Sequence, residues 1–310
     1  MTITMNLVKA SRHLNQIVEM AYKLFLPFSC ILFLASLLRA NTLSGNGGSL
    51  KAMQGCRKGD TVNGIRDLKL YLSHFGYLNY YKNPNATDLQ EDHFDEELEV
   101  AVKSYQVYYH LNATGILDEP TVSQIAMPRC GYRDKVTHGH THNSIHTVSR
   151  YAFYPGTPKW TKGRLTYGFG PLFPTRFITP VDQAFGKWAN ASGYFTFSKA
   201  ASYEGADLKI SFERLDHGDG NAFNGSGGVL AHSFAPQDGR LHFDADENWA
   251  IGAVPGTFDI ETVALHEIGH LLGLDHSQFP SAIMWASFPS GVTKGLSSDD
   301  IQGLRALYGN

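Results

Sequence analysis

The chain has 310 residues, of which 43% are hydrophobic and 18% charged, and its formal net charge is −3. This composition supports a buried core and excludes a disordered chain, and the small charge without a long basic run argues against nucleic acid as the main partner. Histidine is abundant at 14 residues, which favours metal binding, whereas three cysteines are too few for a disulfide scaffold.

Residues 1–40 are typical of a leader that contains a secretory signal. The apolar run Leu24–Leu38 lies between Lys23 and Arg39 and contains Pro27. It is shorter than the roughly 20 apolar residues that cross a bilayer, so we expect secretion and no stable membrane span. An uncleaved signal anchor remains the alternative. Glycosylation sequons, which fit a secreted glycoprotein, occur at Asn85, Asn112, Asn190 and Asn224.

A small helical domain follows the leader. Residues 41–51 are rich in Gly, Ser and Asn and predict a linker. Apolar residues at helical spacing then predict three helices between residues 51 and 132, near Val62–Leu72, Phe94–Tyr109 and Asp118–Ile125. Residues 133–150 form a polar connector with four histidines, His138, His140, His142 and His146. We interpret the connector as a protease-accessible linker rather than a metal-binding tract.

From Arg164 onward the pattern mixes strands and helices. Strands are predicted at Leu165–Phe169, Phe195–Phe197, Leu208–Phe212, Val229–Phe234 and Leu241–Phe243. Helices are predicted at Pro180–Asn190, Thr262–Leu272 and Ser298–Leu307, the last capped by Ser297 or Ser298. This order indicates an α+β catalytic domain over residues 151–310.

The most informative segment runs from His266 to His276 with the pattern HExxHxxGxxH. Residues four apart on a helix project from one face, so His266 and His270 can share a metal, with Glu267 beside them. Gly273 can adopt a positive φ, which lets the chain turn and bring His276 back as a third ligand. Three imidazoles leave one position of a tetrahedral zinc open for water, and Glu267 is the expected general base.

This segment resembles the zinc motif of the metzincins, and within them the matrixins (matrix metalloproteinases). The resemblance covers roughly residues 51–310 and is greatest to plant-type minimal matrixins, which have no C-terminal propeller domain. Met284 matches the methionine of the family's turn beneath the metal. The resemblance implies a metzincin catalytic domain, with a twisted mixed sheet and an active-site helix, behind a three-helix propeptide.

The same resemblance implies a function. The expected protein is a secreted zinc endopeptidase made as a latent zymogen. It would act on extended peptide segments, hydrolysing internal peptide bonds of extracellular or cell-wall-associated proteins in the apoplast or at the cell surface. An activating protease is the second expected partner.

The sequence Pro128-Arg129-Cys130-Gly131 resembles the matrixin cysteine switch. A thiolate is a strong zinc ligand, so Cys130 would fill the open position and keep the enzyme silent until the propeptide is removed. Asp134 could pair with Arg129, and cleavage is expected near Ser149–Tyr151. Cys56 would then be a free thiol, although a Cys56–Cys130 disulfide is the alternative.

A second cluster matches the structural zinc of matrixins, and four protein ligands would close that site. Its residues are His217, Asp219, His232 and His242. The resemblance also implies calcium, bound by Asn224, Gly225, Gly227, Val229, Asp244 and Glu247. Asp207 matches a ligand of a second calcium, but its usual partner position holds the cation Arg240.

Substrate recognition is expected along the strand Val229–Phe234, which includes Leu230 and Ala231 and would pair with an extended peptide. By resemblance, the main specificity pocket is lined by Thr262, Val263, Leu265, Ala286 and Phe288. A small Thr262 at its base predicts a deep apolar pocket for leucine-like or larger side chains.

Three other functions stay open on the sequence. The helical domain resembles peptidoglycan-binding modules, which allows a non-catalytic wall-binding protein. The histidine count allows a metal-storage or sensor protein, and the zinc motif alone allows another metzincin branch.

Overall fold

The structure, a computed structural model, describes residues 47–79, 91–134 and 151–309. The predicted signal and the four connector histidines lie outside the described residues. Within the described ranges, no helix is both long and apolar enough to span a membrane.

The N-terminal part is helical, as predicted. Its helices are α1 (Gly47–Ala52), α2 (Ile65–His74), α3 (Glu96–Tyr108) and α4 (Glu119–Ile125). The side chains of Asp95 and Asp118 cap α3 and α4 by accepting hydrogen bonds from the backbone N–H groups of Leu98 and Thr121. The linker prediction was wrong for residues 47–51, which are helical. Apolar Leu50 and the following Met53 are fully buried in the helical core, so this segment belongs to the domain.

The C-terminal part contains a six-stranded mixed sheet in the order β1-β6-β7-β5-β3-β4. Its strands are β1 (Arg129–Cys130), β3 (Arg164–Phe169), β4 (Thr196–Lys199), β5 (Leu208–Glu213), β6 (Val229–Ser233) and β7 (Arg240–Asp244). Within this sheet, β6 and β7 are antiparallel, and the other neighbouring strands are parallel. Short pairs form between β2 (Ala152–Phe153) and β10 (Leu274–Asp275), and between β8 (Trp249–Ala250) and β9 (Phe258–Asp259).

Helices α5 (Ile178–Ser192) and α6 (Ile260–Leu271) pack together against this sheet, and α7 (Ser298–Tyr308) lies nearby. Trp188 of α5 is fully buried and its indole N–H donates to the Leu265 carbonyl of α6 over 2.8 Å. Ser297 caps α7 in a capping box with Asp300, as one of the two predicted caps. The mixed α+β fold expected from the sequence is confirmed.

The two parts of the molecule share a core. Phe223, Val229 and Trp285 of the C-terminal part belong to the same buried cluster as the apolar residues of α1–α4. The Trp285 indole contacts the ring of Tyr109 edge-on, with centroids 5.2 Å apart. The helical part is therefore packed on the C-terminal part, and β1 extends the sheet of the latter.

Candidate metal centres and substrate cleft

Helix α6 presents His266 and His270 from one face, and it ends directly after them at Leu271. Gly273 has a φ of 102°, as the sequence predicted, and its turn leads into β10 and His276. All three histidines are buried. The local sequence therefore brings three imidazoles to one point.

The second ring nitrogen of each histidine is held by an acceptor. Nδ1 of His266 donates to the Ile283 carbonyl and Nδ1 of His270 to the Leu274 carbonyl, both over 2.8 Å. Nδ1 of His276 donates to Asp134 Oδ1 over 3.0 Å. With Nδ1 protonated, each Nε2 carries the lone pair that a metal needs.

Cys130 completes this group. One ligand atom from each of Cys130, His266, His270 and His276 lies within 4.8 Å of the others, and Cys130 Sγ is 3.5 Å from His270 Nε2. Nε2 of His266 and Nε2 of His276 are buried without a hydrogen-bond partner in the described part of the chain. Burial lowers the pKa of His266 and His270, which keeps both imidazoles neutral. Burial, reinforced by the nearby Glu267, raises the pKa of Cys130, so a thiolate here requires a cation. This donor set fits zinc.

Glu267 is fully buried beside these ligands. Its Oε2 accepts a hydrogen bond from the Ser233 hydroxyl over 2.6 Å, and its Oε1 has no partner among the described residues. Burial raises its pKa to about 7. A carboxyl group with this pKa can both accept and return a proton near neutral pH.

Met284, the residue predicted to form a turn beneath the metal, packs against the helix that carries His266 and His270. It is 2% exposed and lies against Gly269 of α6. The Asp300 carboxylate accepts from the backbone N–H groups of Ile283 and Met284, which ties this turn to α7.

The segment around Cys130 fills the groove beside β6. On one side, the N–H groups of Arg129 and Gly131 donate to the carbonyls of Gly228 and Ala231. On the other side, Cys130 N–H donates to the Ala286 carbonyl, and Phe288 N–H donates to the Pro128 carbonyl. The β6 edge predicted to bind substrate is therefore occupied by β1, which runs parallel to it.

A buried ion pair anchors this segment. Arg129 donates to both Asp134 oxygens, over 2.9 and 2.5 Å, and its guanidinium lies over the Phe75 ring. The Tyr77 and Tyr109 hydroxyls donate to Asp134 Oδ2, over 2.7 and 3.2 Å. Although burial acts to raise it, the Arg129 charge and the His276 hydrogen bond hold the pKa of Asp134 well below its ordinary value. Asp134 thus joins the helical domain to a metal ligand.

A cavity of about 420 Å³ lies next to this segment. Of the predicted pocket residues, Thr262, Val263 and Phe288 line it, whereas Leu230, Ala231, Leu265 and Ala286 are buried outside its lining. Tyr109, Gln124 and Met127 of the helical domain also line it. Lys294 also lines it, and burial lowers the pKa of Lys294 to about 8, so the lining is not purely apolar.

The second cluster converges as tightly as the first. The ligand atoms of His217, Asp219, His232 and His242 lie 2.8 to 3.4 Å apart. Bond lengths of about 2.0–2.1 Å in a tetrahedral site separate its ligands by about 3.4 Å, so the four atoms surround a space of zinc size. With four protein ligands, this centre fits a closed, structural metal.

Several predicted calcium ligands of the glycine-rich loop accept hydrogen bonds from the backbone of the loop. Glu247 Oε1 accepts from the N–H groups of Gly227 and Gly228, and Asn224 Oδ1 accepts from Val229 N–H. Asp244 Oδ2 is buried without a partner in the described part of the chain, and burial raises the pKa of Asp244 and of Glu247 to about 7. Asp207 instead pairs with Lys162 and accepts from Thr166, while Arg240 pairs with Asp238.

Both described cysteines, Cys56 and Cys130, are free, so the structure does not contain the alternative disulfide. Sequence reasoning missed Ser233, Lys294 and the His276 contact of Asp134. These are ordinary polar residues without a spacing signal, and their partners lie 32 to 142 residues away in the chain.

The clustered histidines, the buried carboxylate and the groove beside β6 form an arrangement suited to a metal-dependent peptidase. Residues 159–309 match the sequence model of the family described as Matrixin, and residues 61–125 match a putative peptidoglycan binding domain. Metalloendoproteinase 1 of Glycine max is 42% identical over 262 residues, which cover 81% of this chain and 84% of that protein.

Metalloendoproteinase 2-MMP of Arabidopsis thaliana is 39% identical over 281 residues, covering 82% of this chain and 73% of that protein. Matrix metalloproteinase-20 of Homo sapiens is 40% identical over 217 residues, which cover 67% of this chain and 41% of that protein. The chain belongs to the matrixin family of metalloendopeptidases and is of its plant type, as the sequence motifs predicted.

Proposed function

We propose that this chain is a secreted zinc endopeptidase held latent by its own helical domain, with Cys130 as the inhibitory ligand. The observation that carries the proposal is the position of the Cys130 thiol. It is the fourth member of the group formed by His266, His270 and His276. The water that attacks the peptide bond could not occupy this fourth position while the Cys130 thiol is there.

The proposed organisation is a leader at 1–40, a propeptide at 51–132, an activation linker at 133–150 and a catalytic domain at 151–310. The hydrogen bonds of residues 128–131 with β6 and with residues 286–288 support the propeptide assignment, because they occupy the groove that an extended substrate needs. Cutting within the linker and loss of the propeptide would open this groove. Proteins of the extracellular space or cell wall are the proposed substrates.

Zinc bound by the three histidines would supply Lewis acidity and a water of lowered pKa. Glu267 Oε1 then accepts the proton of the attacking water and delivers it to the leaving amine nitrogen as the peptide bond breaks. The β6 strand orients the substrate backbone, and the cavity beside Thr262 receives a side chain of the substrate. A structural zinc would be held by His217, Asp219, His232 and His242.

Calcium in the loop of Asn224, Gly225, Gly227, Val229, Asp244 and Glu247 is a further part of the proposal. Its support is the buried Asp244 Oδ2 beside Glu247, which has no hydrogen-bond partner among the described residues. Two carboxyl groups with raised pKa values gain from a cation. A second calcium at Asp207 gains no such support, since Lys162 already neutralises its charge.

The test uses residues 41–310, their zinc content and a quenched peptide substrate, before and after treatment with a thiol-modifying mercurial. We expect two zinc ions per chain and activity that appears only after treatment and is lost with a chelator. Glu267→Gln should keep both zinc ions and lose at least about 100-fold in kcat, because general base catalysis is removed.

Activity before mercurial treatment would leave the protease and overturn latency. Full zinc loading without cleavage under any activation would overturn the protease and favour a binding protein. Substantial turnover by zinc-loaded Glu267→Gln would overturn the assignment of the base.

A further inference from the structure

Ser233, the last residue of β6, contacts the side chain of Glu267 directly. Its hydroxyl oxygen lies 2.6 Å from Glu267 Oε2 and 3.0 Å from the Glu267 backbone carbonyl. Ser233 is 3% exposed and Glu267 is 0% exposed. Because both residues are buried away from water, the hydrogen bond between them is stronger than one between exposed groups.

The contact gives the two oxygens of the Glu267 carboxylate different surroundings. Oε2 is engaged by the serine hydroxyl, whereas Oε1 has no hydrogen-bond partner among the described residues. Rotation about the last bond of a glutamate side chain is soft and has no sharp minima. A single hydrogen bond to Oε2 is therefore enough to fix where Oε1 points.

We propose that Ser233 is a positioning residue for Glu267: its hydroxyl holds Oε2, so that Oε1 is aimed at the proton of the reacting water. The inference rests on the proposed role of Glu267 as general base. A base must lie within hydrogen-bond reach of the proton it takes, and small errors in orientation reduce the rate strongly. The Ser233 hydroxyl acts through Glu267, and Ser233 belongs to neither candidate metal-binding group.

A purely structural role is the competing explanation, because the same hydroxyl reaches the Glu267 carbonyl and could merely join β6 to α6. The two explanations differ in what they change. Loss of positioning lowers kcat and leaves KM, since removing the hydroxyl leaves the β6 backbone that would bind the substrate in place. Loss of a structural tie lowers thermal stability and disturbs zinc binding or KM as well.

The experiment measures kcat, KM, zinc content and the thermal midpoint for the activated enzyme with Ser233→Ala and Ser233→Thr. We expect Ser233→Ala to lower kcat on the order of tenfold, the effect of losing a hydrogen bond to a charged group, with KM and zinc content unchanged. Ser233→Thr keeps the hydroxyl and should restore most of kcat. If threonine does not fold in this buried position, a double-mutant cycle of Ser233→Ala with Glu267→Asp supplies the test, and the two effects should be non-additive.

Ser211→Ala is the matched control. Ser211 is a buried strand serine whose hydroxyl donates to the Glu213 carboxylate over 2.7 Å, away from the groove. It should lower stability at most and leave kcat unchanged. An unchanged kcat in Ser233→Ala, or additive effects in the cycle, would overturn the inference while the wild-type activity keeps the proposed function. An inactive wild-type enzyme would instead overturn the proposed function.

Discussion

At the residue scale, the ligands of the first metal centre follow from local spacing. Residues 266 and 270 are one helical turn apart, and the glycine turn brings in His276, so the sequence alone places the three imidazoles together. The partners of their second nitrogens do not follow in this way. Asp134 lies 142 residues from His276, and only the docking of the helical domain brings the two into contact.

The Arg129–Asp134 ion pair leads to a prediction about stability. Asp134→Asn leaves the Arg129 charge buried without its counter-ion, because both side chains are at most 1% exposed. We expect the latent chain to lose about 3 kcal/mol in the free energy of unfolding. The Cys130 thiol should also be modified faster, since the segment that carries it loosens.

Both effects are measured on residues 41–310, by denaturant unfolding and by the rate of thiol modification in a Cys56→Ser background that leaves Cys130 as the one thiol. Tyr77→Phe is the control, because it removes a single hydrogen bond to Asp134 and should cost only about 1 kcal/mol. Equal effects of the two substitutions would contradict a dominant role of the ion pair.

At the element scale, the sequence predicted the helices and strands of the described part well where caps and apolar spacing mark their ends. Asp95, Asp118 and Ser297 each begin a helix as a side-chain cap. The exception is α1, where a Gly- and Ser-rich composition indicated a linker. There, burial of Leu50 outweighs the low helix propensity of its neighbours.

Two helix glycines with different surroundings give a prediction for α6. A Cβ at Gly269 would lie 2.3 Å from Met284 Sδ, whereas a Cβ at Gly186 of α5 would meet nothing within 4 Å. Gly186→Ala should therefore stabilise the protein by about 0.5–1 kcal/mol through helix propensity. Gly269→Ala should destabilise it by about 1–3 kcal/mol through overpacking beneath the metal site.

The measurement is the unfolding midpoint of the catalytic domain at constant zinc, with zinc retention as a second readout. Stabilisation by both substitutions would show that Met284 moves aside freely and does not support the site rigidly.

At the scale of the whole molecule, periodicity and motifs predict two domains but not how they pack. The groove is closed by contacts between residues far apart in the chain, such as His110 Nε2 with the Gln278 carbonyl, and Gln124 with Ser287. No local pattern marks these residues in advance. The resemblance of Cys130 to a family motif was the one sequence signal that related the domains to each other.

His74 gives this interface a predicted dependence on pH. Its Nε2–H donates to the Gly131 carbonyl, and burial, with the charges of Arg129 and Arg133, lowers its pKa to about 4. The ordinary value is about 6.5, so the unfolded or undocked chain binds a proton that the docked form does not. Propeptide docking should therefore weaken as the pH falls from about 6.5 to about 4.

His74→Gln keeps an N–H donor for the Gly131 carbonyl but cannot become charged. The measurement is the rate of Cys130 modification across this pH range, again in a Cys56→Ser background. The ratio of the wild-type rate to the variant rate should increase as the pH falls, because the loss of reactive thiolate is common to both and cancels. Parallel curves would assign the acid sensitivity to other groups.

The two ends of the activation linker are both fixed to the catalytic domain. Asp134 is held by Arg129 and His276, while β2 pairs with β10 and Tyr151 lies against Gly303. A cut between Asp134 and Tyr151 therefore breaks the polypeptide but leaves the helical fragment bound to the catalytic domain. What was an intramolecular contact becomes a complex of two polypeptides, and its effective concentration falls from the millimolar range of a tether to that of the free fragment. Onset of activity would then follow dilution as well as cleavage, and the detached helical fragment would serve as an inhibitor in trans.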